Sequence, residues 1–205
     1  GHLGLRQSAA RFLGRGEAPA GQVFSVLMLS WFPLSVLTIF AVLLTSGEWL
    51  HELDLTATLA LVLAVASLTM LSLLQGIFLG RLEMGKFGLS DGAPAVVLLV
   101  LIAATALVFG LEAELALVAF GLSFVLTAAI MFYPGVKGLS PEAPPPQLVS
   151  KMLRDGLPFA LSMFVIFLNG RILLLILGEF AGKADVGNFF VAQRLSEVVL
   201  EIATA

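Results

Sequence analysis

A chain of 205 residues with 59% hydrophobic and 12% charged side chains, at mean hydropathy +1.04, excludes a water-soluble globular domain, which carries about 25% charge. The absence of cysteine excludes disulfides and thiolate metal sites, and the two histidines, His2 and His51, lie outside the apolar runs. The net charge of −3 says little, because in such a chain the placement of charge matters more than its sum.

The first segment, residues 3–16, mixes Leu3, Leu5, Phe12 and Leu13 with Arg6, Arg11 and Arg15. At helical spacing the arginines spread over more than one face, which predicts an interfacial or cytoplasmic amphipathic helix within 1–21. A spanning helix needs about 20 mostly apolar residues. Six stretches qualify: 22–45, 56–80, 94–110, 113–133, 157–178 and 186–205. The runs are continuous rather than alternating, so they predict helices and not a β-barrel. The fold class is all-α, a polytopic helical membrane protein. The third span is the shortest.

Most polar residues in the first four spans, such as Ser25, Thr38, Thr69, Ser123 and Thr127, are expected to bond back to their own helix carbonyls or across to neighbours. Pro33 sits mid-span and is expected to kink its helix. Gln75 lies near a span end, where it is expected to snorkel. Basic residues fall on alternate sides of the spans. Eight lie in the initial segment, in 81–92 and in 134–156, and one, Lys183, lies on the other side. The positive-inside rule places the eight in the cytoplasm. Trp49 and Tyr133 stand at opposite span ends, as aromatic belts require.

The longest connection, 134–156, holds Pro141, Pro144, Pro145 and Pro146. It is expected to be a partly extended cytoplasmic linker or a hinge between two bundles. Asp155 then reads as a helix cap, with Pro158 in the first turn. The chain starts at Gly1 without a methionine or signal peptide and stops at Ala205 inside an apolar run, so it reads as a piece of a longer protein.

The last two spans carry the chemistry. Arg171 and Arg194 interrupt runs otherwise suited to lipid. A guanidinium cannot shed its proton, so each arginine must be paired, hydrated or turned to a cavity. The link between the spans centres near Gly182, eleven residues after Arg171 and twelve before Arg194. Both therefore lie about 16–18 Å from the turn, at nearly the same depth. Arg194, Glu197 and Glu201 follow i, i+3, i+7 and share a face with Gln193. Asn169 lies about 200° around its helix from Arg171. Two readings stay open: an internal ion-pair seam, or a hydrated cavity whose basic groups attract an anionic substrate.

The run from Arg154 through Asp155, Gly156, Leu157, Pro158 and Phe159 to Ser162, the Asn169-Gly170-Arg171 triplet, and the run from Val186-Gly187-Asn188 through Ala192-Gln193-Arg194-Leu195 resemble the oligosaccharide flippase (polysaccharide biosynthesis, Wzx-like) family. That family sits in the multidrug/oligosaccharidyl-lipid/polysaccharide exporter superfamily. Gly4-Leu5-Arg6-Gln7, Arg11-Phe12-Leu13 and Leu74-Gln75-Gly76 fit its first lobe. The resemblance implies two six-helix lobes around a central cavity, with the present spans as helices three to eight. Residues 22–133 would then belong to the first lobe and 157–205 would open the second. The implied partners are membrane lipids and an undecaprenyl-diphosphate-linked oligosaccharide, carried across the inner membrane as the lobes rock. Arg171, Arg194, Gln193, Glu197, Glu201 and Asn169 would line the cavity. A multidrug or organic-cation exporter of the same superfamily is the rival, because Glu197 and Glu201 suit a cation. No catalytic set, cofactor or nucleic-acid partner is expected.

Overall fold

The computed structural model describes residues 4–45, 54–108, 110, 112–180, 186–193 and 196, with side chains at all of these except 43–45, 113, 167, 169–171, 173–175 and 179. Among the described residues the regular structure is helical. The elements are α1 (Leu5–Gly14), α2 (Ala20–Thr45), α3 (Leu55–Gly80), α4 (Met84–Val108), α5 (Ala113–Val136) and α6 (Pro146–Phe180), and a further helical stretch covers 186–193. The chain divides into two units, residues 1–159 and 160–205. Helices α2 to α5, all in the first unit, are each long and apolar enough to cross a membrane.

The bounds of α2, α3 and α5 match the hydropathy closely, but two others do not. The third span was expected at 94–110, whereas α4 starts at Met84. Gly85, Gly88, Ser90, Asp91 and Gly92 have the composition of a link, but Lys86 N and Phe87 N both donate to Glu83 O and begin the helix there. Asp155 was expected to cap a helix, yet it lies nine residues inside α6. The Pro-rich link supplies the true start. Pro146 occupies the first helical position, where a missing N–H costs nothing, and Pro145 O accepts from Leu148 N and Val149 N.

Close backbone approach organises the first unit. A Cβ at Gly76 would lie 2.7 Å from Arg6 O, so α1 rests directly on the end of α3. A Cβ at Gly121 would collide with Ala60 O, so α5 lies against α3 in the same way. Small residues at helix contacts are how membrane helices pack without a hydrophobic drive between them. The core joins Leu5, Ala9 and Phe12 of α1 to Val23, Val26 and Leu27 of α2, to Leu73, Leu74, Ile77 and Phe78 of α3, and to Met152 of α6. Trp31 Nε1 donates to Ala66 O at 2.9 Å and ties α2 to α3. The hydroxyls of Ser25, Thr38, Thr69, Ser123 and Thr127 do bond back to carbonyls of their own helices. Among the described residues the second unit holds the remainder of α6, the 186–193 stretch and Ser196, and Leu161, Phe164, Val165 and Ile166 on α6 are exposed.

Candidate functional site

Helix α1 buries Leu5, Ser8, Ala9 and Phe12, which fixes one side of it against the bundle. Arg6, next to Leu5 on this short helix, thereby reaches α3. Its Nη1 donates to Gln75 Oε1 at 2.9 Å. Gln75 Nε2 in turn donates to Asp91 Oδ1 on α4 at 3.3 Å. The amide thus relays between a cation and an anion on two other helices. Gln75 was expected to snorkel, but it is only 6% exposed, and its two hydrogen bonds make that burial tolerable.

These three residues line a cavity of about 350 Å³ walled by α3, α4 and α5. Arg6 and Asp91 are the charged members of the lining, so its formal charge is balanced. Ser72, Ser90 and Ser123 add hydroxyls, while Phe120 and Phe124 add aromatic surface. The two rings pack edge to face with centroids 5.0 Å apart. Ser90 donates to Phe87 O and Ser123 to Phe120 O, which leaves the hydroxyl oxygens able to accept. Pro94, buried in the same wall, has no N–H to give the Ser90 carbonyl. Arg6 Nε is buried without a hydrogen-bond partner among the described residues.

A second group of charges clasps α1 and its following link to the start of α6. Arg11 pairs with Asp155 at 3.1 Å, and Lys151 with Glu17 at 3.2 Å. Lys151 Nζ also sits 4.9 Å from the Phe12 ring centroid. The hydrogen bond from Lys151, aided by its charge and those of Arg11 and Arg15, holds the Glu17 carboxyl below the usual carboxylate range. Arg81 donates to Lys137 O at 3.3 Å and Gln22 Nε2 to Glu142 Oε2 at 3.3 Å. The basic segments that the sequence assigns to one side of the membrane therefore meet at one end of the first unit.

The site residues expected from the sequence fare differently. Arg194, Glu197 and Glu201 lie outside the described residues. Asn169 and Arg171 occupy helical positions in α6, but their side chains are likewise outside the description. Gln193 ends the 186–193 stretch and is partly buried. Their predicted grouping therefore falls outside the described residues. The sequence marks Arg6 only as one of three arginines in the amphipathic first segment, and it passes over Asp91. A signal was present for Asp91: Phe87, Asp91, Pro94, Ala95 and Leu98 recur at i, i+4, i+7, i+8 and i+11, a helical stripe carried through the apparent link.

Long apolar helices, close glycine contacts and a polar cavity among them define a multi-pass helical membrane protein. Residues 2–205 match the family described as "Polysaccharide biosynthesis protein". The chain belongs to that family and is a membrane protein of polysaccharide synthesis. Neither a curated protein nor a solved structure matches it.

Proposed function

We propose that the chain belongs to a flippase that moves an oligosaccharide linked to undecaprenyl diphosphate across the bacterial cytoplasmic membrane. Two helical lobes provide alternating access, and the six predicted spans are helices three to eight. The physical task is to carry hydroxyls and phosphates through hydrocarbon while the lipid tail stays in the bilayer. The observation that best supports the reading is the Arg6–Gln75–Asp91 track, which links three helices along a cavity of the bundle with Gln75 buried and Asp91 exposed, in a chain of the polysaccharide biosynthesis family. Ionisable groups kept among spanning helices mark transport pathways more often than they mark stabilisers. The end that gathers Arg6, Arg11, Arg81, Lys86 and Lys151 faces the cytoplasm, and the extended chain before α6 lies there too. Arg171 and Arg194 line the second lobe's share of the cavity, with Asn169, Gln193, Glu197 and Glu201 around them.

The test is complementation of a strain lacking its own flippase by the intact protein, with expression verified. Arg6→Gln, Arg171→Gln and Arg194→Gln should each reduce surface polysaccharide. Wild-type export from all three would sink the proposal. Asp91, a carboxylate in the cavity lining, favours the rival organic-cation exporter. Increased resistance to lipophilic cations on expression, without restored polysaccharide, would establish that rival instead.

A further inference from the structure

We propose that the cavity among α3, α4 and α5 holds a sugar ring of the cargo, not its diphosphate. This rests on the flippase reading above and adds to it a division of labour within the path. The first argument is charge. Arg6 and Asp91 line the cavity together and are bridged by Gln75. A diphosphate entering it would gain Arg6 but face the Asp91 carboxylate, and an organic cation would meet the reverse. A neutral polyhydroxy ring suffers neither repulsion.

The second argument is hydrogen-bond inventory. Each sugar hydroxyl both donates and accepts. Asp91 only accepts, Arg6 only donates, and Gln75 does both. Asp91 Oδ1 and one Arg6 N–H are engaged with Gln75, which fixes the orientation of the trio and leaves the second carboxylate oxygen of Asp91, an exposed residue, for a ligand. Ser72, partly buried in the lining, adds a hydroxyl that both donates and accepts. A site built this way rejects ligands that cannot match its polar groups.

The third argument is shape. Phe120 is 38% exposed, and it lines the cavity beside Phe124. Aromatic faces are electron-rich and suit the C–H-bearing face of a sugar. The volume of about 350 Å³ lies at the low end of the range for small-molecule pockets, ~300–1,000 Å³, and fits a monosaccharide-sized group.

The experiment uses the intact protein in lipid nanodiscs and three probes. These are undecaprenyl diphosphate, the lipid-linked oligosaccharide pool extracted from the producing cells, and the glycan released from that pool. Binding is read by native mass spectrometry. Wild type should prefer the glycan-bearing lipid to the bare one. Asp91→Asn should cut that preference about tenfold, the value of one good hydrogen bond to a charged group, and should strengthen binding of the bare lipid as Arg6 loses its counter-charge. Phe120→Leu should cut the preference without that gain. A preference that survives both variants overturns the proposal, as does equal weakening of both lipids. Released glycan that binds as tightly as its lipid-linked form would make this a free-sugar site and overturn the assignment to cargo. Wild type that binds neither lipid overturns the flippase reading itself.

Discussion

Helices α3 and α4 are nearly the same length and comparably apolar, yet they sit in the bundle quite differently. Twelve residues of α3 are buried, among them Leu73, Leu74, Gln75 and Phe78, but only Ser90 and Pro94 of α4. Leu99 is 69% and Leu107 88% exposed on α4. Hydropathy selects both as spans but cannot rank them, because lipid and protein interiors are about equally apolar. What separates them is backbone approach. On α3, Gly76 touches α1, and Ala60 faces Gly121 of α5. On α4, added Cβ atoms at Gly85, Gly88 and Gly92 would meet nothing within 4 Å. α3 is the axis of the first unit, and α4 presents apolar surface suited to lipid or to another helix.

The sharpest way to break this contrast is to fill the contacts. Gly76→Leu or Gly121→Leu should destabilise by about 1–3 kcal/mol through overpacking, and Gly92→Ala should stay within about 0.5 kcal/mol of wild type or gain slightly in helix propensity. Thermal unfolding of the purified intact protein in detergent reads both. Next is Gln75→Leu, which leaves Arg6 and Asp91 without their bridge and should cost about 1–3 kcal/mol, whereas Leu99→Gln on the exposed α4 face should act through membrane insertion rather than through packing.

A smaller effect is expected from Arg11→Ala. It breaks a pair whose members are 38% and 18% exposed, and such pairs contribute about 0–1 kcal/mol. The difference from wild type should shrink further as salt rises. The smallest effect lies at the start of α3, where Asp54 accepts from Leu55 N at 2.7 Å. Its bonds from the Thr56 hydroxyl and from the Leu55 and Thr56 backbone lower its pKa from 3.8. A depressed folded pKa means that the contribution is present above the unfolded value and fades as pH falls through the folded one. Below about pH 4, Asp54→Asn should therefore melt more nearly like wild type than it does at pH 7.

Much of this is legible in the sequence. The bounds of α2, α3 and α5 follow from uncharged runs ended by charge, and the gathering of basic links at one end follows from their alternation. The start of α4 is hidden because glycines, Ser90 and Asp91 look like a link until a tertiary partner satisfies the carboxylate. The start of α6 is hidden because prolines both extend a chain and open a helix, and only backbone geometry distinguishes the two. The relay at Gln75 is illegible for a further reason. Arg6 lies 69 residues before it, and nothing local marks the two as neighbours. Arg171 and Arg194, conspicuous as charges in apolar runs, show where chemistry is needed but not what surrounds them.

The clasp between Glu17 and Lys151 also has a consequence for how the protein is made. Its partners are 134 residues apart. At a synthesis rate of ~5–20 residues per second, the ribosome needs roughly 7–27 s to deliver the lysine after the glutamate. Four apolar helices must enter the bilayer in that interval while Arg11 and Glu17 wait in water. Once α6 emerges, its first turns close over α1, so a helix made before α2 to α5 receives this clasp only after all four.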